Sequence, residues 1–153
     1  MKTAIICFAA SSGGHFEQIM MLKPLMDKYA GFVVTEKTKY EVNCKNEIYY
    51  VKQINRKEKG FVLYMIMNFF GSFRIFIKKK PDIIISTGAL STIPLCIIAK
   101  LFKKKLIFIE SFAKINSPTR TGDFLYRYTD RFYVQWESML KFYPNAIYKG
   151  NIY

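Results

Sequence analysis

The sequence predicts a Rossmann-like α/β fold, a mostly parallel sheet with helices on both faces, because short apolar strands alternate with helical segments along 153 residues. A parallel pair of strands needs a crossover that packs back over the sheet, and this alternation supplies one. The length fits a single domain, residues 1–153, that buries about two-thirds of its unfolded surface. Polar turns follow three of the strands, and ligands of such sheets bind beyond the carboxyl ends of the strands.

Hydrophobic periodicity and turn residues place the elements in order. The amino-terminal half predicts strands at 3–9, 32–35 and 48–51, with an amphipathic helix over 15–29. A strongly apolar helix covers 60–77 and ends before the Pro81-Asp82 break. The carboxyl-terminal half predicts strands at 83–86, 106–109 and 132–134, helices at 94–103, 123–128 and 136–142, and a polar loop over 110–118.

The chain carries 24 lysines and arginines against 11 acidic residues, a formal charge of +13, and 51% of its residues are hydrophobic. The apolar content excludes a disordered basic tail, so the charge indicates an anionic partner of a folded domain. Nucleic acid, phospholipid headgroups and phosphorylated substrates all satisfy that requirement. Cys7, Cys44 and Cys96 show no metal-ligand spacing, and we expect reduced packing residues, no metal and no cofactor.

The first strand is followed by Ser11, Ser12, Gly13, Gly14 and His15. Glycines between a strand and a helix let the backbone approach a ligand, and free N–H groups at the helix start favour a phosphate. The only histidine of the chain then opens the helix, where the positive dipole end favours neutral imidazole, available as a hydrogen-bond partner or base. The alternative is a glycine turn with a capping serine and a histidine without a function. The turn lacks GxGxxG and the Walker lysine, so neither a dinucleotide site nor a P-loop is predicted.

Two later turns are candidates for the same site. Thr87 and Gly88 follow the strand at 83–86 and are predicted to bind the acceptor or its phosphates, unless they form an ordinary connection. Glu110 directly follows an apolar strand, at the rim of a core where desolvation would tune a carboxylate as a base; the alternative is a helix cap or a lysine partner. Asn116 and Arg120 suit hydroxyls and a phosphate, or else belong to a solvated loop.

The helix over 60–77 carries Arg74 as its only charged residue. One narrow stripe along it is small or polar: Gly60, Tyr64, Asn68, Gly71 and Ser72. The apolar remainder exceeds what a sheet covers, so we expect it to dip into the cytoplasmic leaflet as a peripheral helix whose flanking lysines bind anionic headgroups. The predicted membrane residues are Phe61, Leu63, Met65, Ile66, Phe69, Phe70, Phe73, Phe76, Lys78, Lys79 and Lys80. A true span would put strands of one sheet on opposite sides, and a helix wholly buried under other protein is the remaining alternative.

Five segments together carry a family resemblance: SSGGH, IISTGALSTIP, IESFAKINSPTRTG, YVQWE and YKGNIY. With them the whole chain resembles the PssD/CpsF family of bacterial capsule and exopolysaccharide proteins, relatives of the membrane-recruiting subunit of the two-chain N-acetylglucosaminyltransferase that acts on dolichol-linked sugars. It is also distantly similar to the amino-terminal half of MurG in its Gly-Gly-His turn and a later glutamate. The resemblance implies the acceptor half of a split GT-B glycosyltransferase, whose separate partner chain binds the nucleotide sugar.

The resemblance also implies a reaction and its residues. The acceptor is expected to be an undecaprenyl-pyrophosphate-linked saccharide whose phosphates meet the turn at 11–14, and the transfer an inverting one that forms a β-1,4 linkage. His15 matches the family's histidine and is expected to be the base, with Glu110 second. Ile152 and Tyr153 are expected to dock the donor chain, because relatives use this end to hold their partner; the alternative is internal packing.

Two other classes of function compete with this interpretation. A non-catalytic scaffold would recruit and activate the transferring chain at the membrane without supplying a base. A nucleic-acid-binding protein would explain the charge and the 17% aromatic content. No recognised nucleic-acid motif is present and the aromatic residues concentrate in apolar runs, so no nucleic acid is expected as a partner.

Overall fold

A computed structural model describes residues 4–39 and 44–153 of the chain. Its strands are β1 (Ile6–Ala10), β2 (Gly31–Glu36), β3 (Glu47–Val51), β4 (Ile83–Gly88), β5 (Lys105–Ile109), β6 (Arg131–Val134) and β7 (Ile147–Tyr148). They form one sheet in the order β3-β2-β1-β4-β5-β6-β7, and every neighbouring pair is parallel. The predicted Rossmann-like α/β fold is therefore confirmed.

The helices connect these strands as crossovers on both faces of the sheet. They are α1 (Gly14–Met20), α2 (Lys23–Lys28), α3 (Phe61–Lys79), α4 (Ile93–Leu101) and α5 (Arg120–Leu125), with single 3-10 turns at Leu90–Thr92, Tyr126–Tyr128 and Glu137–Lys141. Side chains alternate along a strand, so β1 contributes to two separate cores. Cys7 packs with residues of α3 and α4 on one face, and Phe8 packs with residues of α1 and α2 on the other.

The strand order reverses at β1, which pairs with β2 on one side and β4 on the other. Ligands of open α/β sheets bind at such a switch point, in the crevice outside the carboxyl ends of the strands. The turns after β1 and β4 meet there: the Ser11 N–H donates to the Gly88 carbonyl at 2.8 Å. The topology thus brings the first two predicted turns together.

The structure differs from the predicted elements in three places. The helix predicted over 15–29 is two helices, because Pro24 has no N–H to continue the first one and sits instead in the first turn of α2. The helix predicted over 136–142 is a single 3-10 turn. The two residues of β7 were missed because so short a strand shows no alternation, and the predicted start of the first strand at Thr3 lies outside the described residues.

The three cysteines are free thiols, as predicted. Cys7 and Cys96 lie in the core between the sheet and α4, whereas Cys44 is half-buried. Burial raises the pKa of Cys96 to about 12, so this thiol stays protonated and behaves as a small apolar residue.

Helix α3 packs on the rest of the fold by a narrow side that buries two polar and two apolar residues, Asn68, Ser72, Ile75 and Phe76. Asn68 is buried, and its amide accepts a hydrogen bond from the Lys52 N–H at 2.8 Å and donates one to the Lys52 carbonyl at 2.7 Å. Ser72 is buried on the same side, whereas Gly71 is exposed. Within the described residues α3 is the one helix long and apolar enough to cross a membrane, and only 22% of its apolar window is buried. This chain alone therefore leaves most of α3 uncovered, and burial under other protein stays an alternative to the membrane face.

Candidate functional site

His15 lies at the switch point and is held there by reciprocal hydrogen bonds with Thr87. The His15 Nδ1 is 2.7 Å from the Thr87 carbonyl oxygen, and the Thr87 hydroxyl donates to the His15 carbonyl at 2.7 Å. A carbonyl only accepts, so Nδ1 carries the hydrogen, and in the Nδ1–H tautomer the lone pair is at Nε2. Nε2 makes no hydrogen bond to any described residue, and the ring is only partly buried. The arrangement suits a general base oriented by its other nitrogen.

Gly88 supplies the space that the imidazole needs. Its φ of +98° is in the left-handed region, and a β-carbon there would lie 3.3 Å from His15 Cε1 and 3.4 Å from Nδ1. Thr87 and Gly88 are both buried, which corrects the prediction that they bind acceptor phosphates. The Thr87 hydroxyl donates to the His15 carbonyl, and Gly88 is too buried to contact a ligand. Both residues instead position the histidine.

The glycine turn after β1 already holds a carboxylate. Glu36, at the end of the neighbouring strand β2, accepts hydrogen bonds at Oε2 from the Ser12 N–H at 3.2 Å and the Ser12 hydroxyl at 2.8 Å. Its side chain is 5% exposed. A phosphate placed on these donors would face this charge. Ser12 is therefore not available to bind a phosphate, contrary to the prediction. Ser11 is buried beside it, while Gly13 and Gly14 are exposed.

Sequence reasoning missed Glu36 because its partner is 24 residues away in the chain. The one available signal was an acidic residue directly after an apolar strand that neighbours β1, the same signal that singled out Glu110. Parallel strands bring such residues to one edge of the sheet, and that register is not visible in local periodicity.

Glu110 follows β5 and is buried, at 1% exposure, rather than at the rim as predicted. Its Oε1 accepts from the Ser111 N–H at 2.7 Å and the Thr119 hydroxyl at 2.8 Å. Its Oε2 accepts from the Tyr143 hydroxyl at 2.7 Å and the Thr119 N–H at 3.2 Å. With hydrogen bonds to both oxygens and almost no exposure, the carboxylate joins the loop between β5 and α5 to Tyr143.

The surroundings of Glu110 are built around that carboxylate. Burial, together with the neighbouring Glu110, raises the pKa of Tyr143 well above its usual value, so the phenol remains a hydrogen-bond donor. Gly122 is required beside it, because a β-carbon at that position would lie 2.2 Å from Glu110 Oε2 and 2.8 Å from Thr119 Oγ1. The Thr119 hydroxyl also accepts from the Gly122 N–H at 2.8 Å and so caps α5.

The carboxyl-terminal residues pack against the same loop. Buried Gln135 donates to the Glu110 carbonyl at 2.8 Å and accepts from the Ile152 N–H at 3.2 Å. The centroids of the Tyr153 and Phe112 rings are 4.8 Å apart, and Tyr153 is 57% exposed. Ile152 therefore packs internally, whereas Tyr153 presents an exposed aromatic face; whether either binds a partner stays a prediction.

Arg120, the first residue of α5, lines a groove that also includes Ala89, the residue after Gly88. One stretch of the groove, of about 460 Å³, is lined by Arg120 with Ala89 and Thr121, and the adjoining stretch, of about 420 Å³, by Arg120 with Phe61 and Phe124. Three residues line both stretches: Arg56, Leu90 and Arg120. The predicted acceptor residue Asn116 is exposed on the preceding loop and does not line either stretch.

The outward face of α3 is apolar and open. Phe70 is 66% exposed and Leu63 58%, and the other exposed apolar residues on the helix are Val62, Ile66, Met67, Phe69, Phe73 and Ile77. Phe61 and Met65 are half-buried. Phe76 is 3% exposed and belongs to the core beneath α4, so its assignment to the membrane set was wrong. Leu101 and Phe102 at the end of α4 extend the apolar surface, with Phe102 packing on Phe73.

Basic residues flank this apolar surface at the end of α3. Lys78 and Lys80 are exposed. Lys79 forms an ion pair with Glu47, whose carboxylate raises the lysine pKa by accepting its hydrogen bond, so the prediction of a free headgroup ligand is corrected for this residue. Among the described residues, no group of three or more histidine, cysteine or acidic side chains is placed to hold a metal ion.

A family model described as "Oligosaccharide biosynthesis protein Alg14 like" matches residues 6–152 of the chain. The UDP-N-acetylglucosamine transferase subunit ALG14 of Homo sapiens is 24% identical, over 96% of this chain and 82% of the human protein. The subunit of the same name from Yarrowia lipolytica is 27% identical, over 91% of this chain and 76% of the yeast protein.

Solved structures show the same fold at low identity. Acinetobacter baumannii MurG matches with a TM-score of 0.71 and 16% identity, over 88% of this chain and 42% of MurG. A UDP-N-acetylglucosamine 2-epimerase from Rickettsia bellii matches with a TM-score of 0.75 and 10% identity, over 98% of this chain and 45% of the epimerase. The chain thus spans less than half the length of either enzyme.

Proposed function

The chain belongs to the family of Alg14-like oligosaccharide biosynthesis proteins, and from that membership we propose that it is the acceptor-binding, membrane-associating subunit of a two-chain glycosyltransferase. A separate chain would bind the nucleotide sugar. Two findings support this division: relatives that the chain matches over most of their length are named transferase subunits, and the fold corresponds to less than half of MurG. One Rossmann-like domain supplies only one wall of a cleft between two domains.

The observation that carries the proposal is the oriented imidazole of His15 at the switch point. With Nδ1 donating to Thr87, Nε2 is left without a partner among the described residues, at the edge of the sheet where ligands of this fold bind. In the proposed step, Nε2 takes the proton of the acceptor hydroxyl while that oxygen bonds to the anomeric carbon of the donor. The bond from that carbon to the nucleoside diphosphate breaks, the electron pair leaves with the diphosphate, and the configuration inverts. Glu110 has a positioning role in this scheme rather than a catalytic one.

The acceptor in this proposal is an undecaprenyl-pyrophosphate-linked saccharide, and the chain is assigned to the PssD/CpsF-like branch that acts in capsule and exopolysaccharide synthesis. The apolar face of α3 supports a lipid-linked acceptor, because it would hold the switch point close to the bilayer surface where such headgroups emerge. The location is accordingly the cytoplasmic face of the membrane, as a peripheral protein. The formal charge of +13 favours anionic lipid there.

The decisive experiment separates the base from its orientation. In His15→Asn the amide can still donate to the Thr87 carbonyl from near the place of Nδ1, but nothing replaces Nε2. We expect the co-purified pair of chains to lose about 10²–10⁴-fold in kcat with a lipid-linked acceptor, with unchanged association between the chains. Glu17→Gln, an exposed change in the same helix, is the matched control. Full turnover in His15→Asn would contradict the base and favour a scaffold that only recruits the donor chain.

A further inference from the structure

The groove beside the switch point changes in character along its length. One stretch is lined by polar side chains such as Asn55 and Thr121 together with apolar ones, and it includes Ala89, the neighbour of Gly88. The adjoining stretch is lined by the rings of Phe61 and Phe124 and the side chain of Ile93. Phe61 is the first residue of α3, so the apolar end is continuous with the exposed apolar face of that helix.

Two guanidinium groups are common to both stretches of the groove. Arg56 and Arg120 line both stretches, and both are exposed. Neither forms an ion pair with a described residue, although four acidic side chains elsewhere in the described chain do: Asp27, Glu47, Asp82 and Asp130. No carboxylate lines either stretch. Planar guanidinium groups bind phosphate oxygens in pairs, so this arginine pair suits a multiply charged phosphate.

The glycine turn is a poorer position for the same phosphates. Its Ser12 N–H and hydroxyl are occupied by the buried carboxylate of Glu36, which would repel an anion placed there. The charge distribution therefore separates two tasks along the carboxyl edge of the sheet: proton transfer beside the glycine turn, and anion binding at the groove.

We propose that the groove binds a prenyl diphosphate, with its phosphates on Arg56 and Arg120 and its first isoprene units along Phe61 and Phe124. This inference rests on the proposed function, which requires a lipid-linked acceptor. It replaces the predicted phosphate site at Ser11–Gly14 by the arginine pair. The bound lipid leaves the protein along α3 toward the bilayer, while the sugar attached to its phosphates points past Ala89 to His15.

Farnesyl diphosphate and inorganic pyrophosphate are the probes, titrated by calorimetry into the complete chain. We expect Arg56→Gln and Arg120→Gln each to weaken farnesyl diphosphate binding about 10-fold, as for loss of a charged hydrogen bond. Arg127→Gln, an exposed arginine that lines neither stretch, is the control. Phe124→Ser should weaken farnesyl diphosphate and leave inorganic pyrophosphate unchanged. Thermal unfolding of each variant checks that it is folded.

Three results would overturn the groove assignment. The first is wild-type affinity for farnesyl diphosphate in the double arginine variant. The second is a larger loss of that affinity in Ser12→Ala than in either arginine variant. The third is displacement of farnesyl diphosphate by phosphatidylglycerol micelles with the same dependence on the arginines. The last outcome would make the groove a headgroup site.

The proposed function fails by a different result. If the arginine variants lose farnesyl diphosphate but the wild-type pair of chains transfers no sugar, the groove stands and the transferase role falls. If the pair transfers sugar and both arginine variants keep the wild-type KM for the lipid acceptor, the transferase role stands and the groove falls.

Discussion

Replacing Leu63 and Phe70 by serine should weaken binding to anionic vesicles far more than it lowers the stability of the fold. Leu63 is 58% exposed and Phe70 66% exposed on the outward face of α3. Complete burial of such side chains is worth roughly 1.5–3 kcal/mol each, so the surface still open to a bilayer is worth about 1–2 kcal/mol per residue. Together the two substitutions remove about 2–4 kcal/mol of partitioning free energy, a loss of at least about 30-fold in vesicle affinity.

The effect of a substitution on stability should depend on whether the residue of α3 faces water or the core. Because roughly a third to two-fifths of each side chain is already covered in the free protein, the double substitution should lower the free energy of unfolding by only about 1–2 kcal/mol. Phe76→Ser on the same helix removes a core residue, 3% exposed, and should cost about 3 kcal/mol or more in stability. The two variants thus distinguish the lipid-facing side of α3 from its protein-facing side.

Flotation with vesicles that contain phosphatidylglycerol measures the effect, and urea unfolding measures stability. Met21→Ser with Leu25→Ser is the matched control, since these residues are 43% and 37% exposed on the opposite face of the sheet. Vesicle binding that survives the Leu63 and Phe70 change, or that is lost equally in the control, would refute the membrane face. High salt should weaken the remaining electrostatic part, about 1 kcal/mol for each basic residue near the surface.

Two further outcomes follow from contacts within the fold. Gly122→Ala should lose about 3 kcal/mol in unfolding free energy, because the new β-carbon would lie 2.2 Å from the buried Glu110 carboxylate. Gly71→Ala is the control, since its β-carbon would meet nothing within 4 Å, and it should be neutral or stabilising. Equal effects of the two changes would contradict the clash. Burial raises the pKa of Asp130, but hydrogen bonds from Lys100 and the Leu106 N–H outweigh it and lower the pKa overall. The stability gained from this lowered pKa is therefore present above the unfolded pKa near ~4 and is lost as the pH falls below it. Asp130→Asn should cost about 1 kcal/mol at neutral pH, after allowance for solvent screening, and almost nothing at low pH; a difference that does not change with pH in urea titrations would be the contrary result.

The sequence was sufficient where structure depends on neighbours in the chain. The alternation of strands and helices predicted the sheet, and the apolar content around α3 predicted an outward face, because both are local patterns. It was insufficient where a polar side chain finds its partner across the sheet. Nothing near Glu36 indicates that it binds Ser12, and nothing near Asn68 indicates that it pairs with the backbone of Lys52. Both contacts depend on strand register and crossover geometry, which are set by the packed core.

The same limit explains why Glu110 was assigned a catalytic task. A carboxylate after an apolar strand has the same local sequence whether it faces a ligand or a hydrogen-bonding loop. Its partners Thr119 and Tyr143 lie 9 and 33 residues further along the chain. Only the folded arrangement shows that they converge on both oxygens, and this convergence turns a candidate base into the organiser of the loop.

The bridge made by Gln135 affects how the carboxyl terminus should be probed. One side-chain amide joins the main chain of Ile152 to the carbonyl of Glu110, so removing the last residues leaves the buried Gln135 amide oxygen without its donor and also removes any contact surface for another chain. If a truncated protein no longer binds its partner, the loss could come from the missing hydrogen bond or from the missing contact surface. Tyr153→Ala separates them, because it deletes the exposed ring while the Ile152 N–H keeps its bond to Gln135.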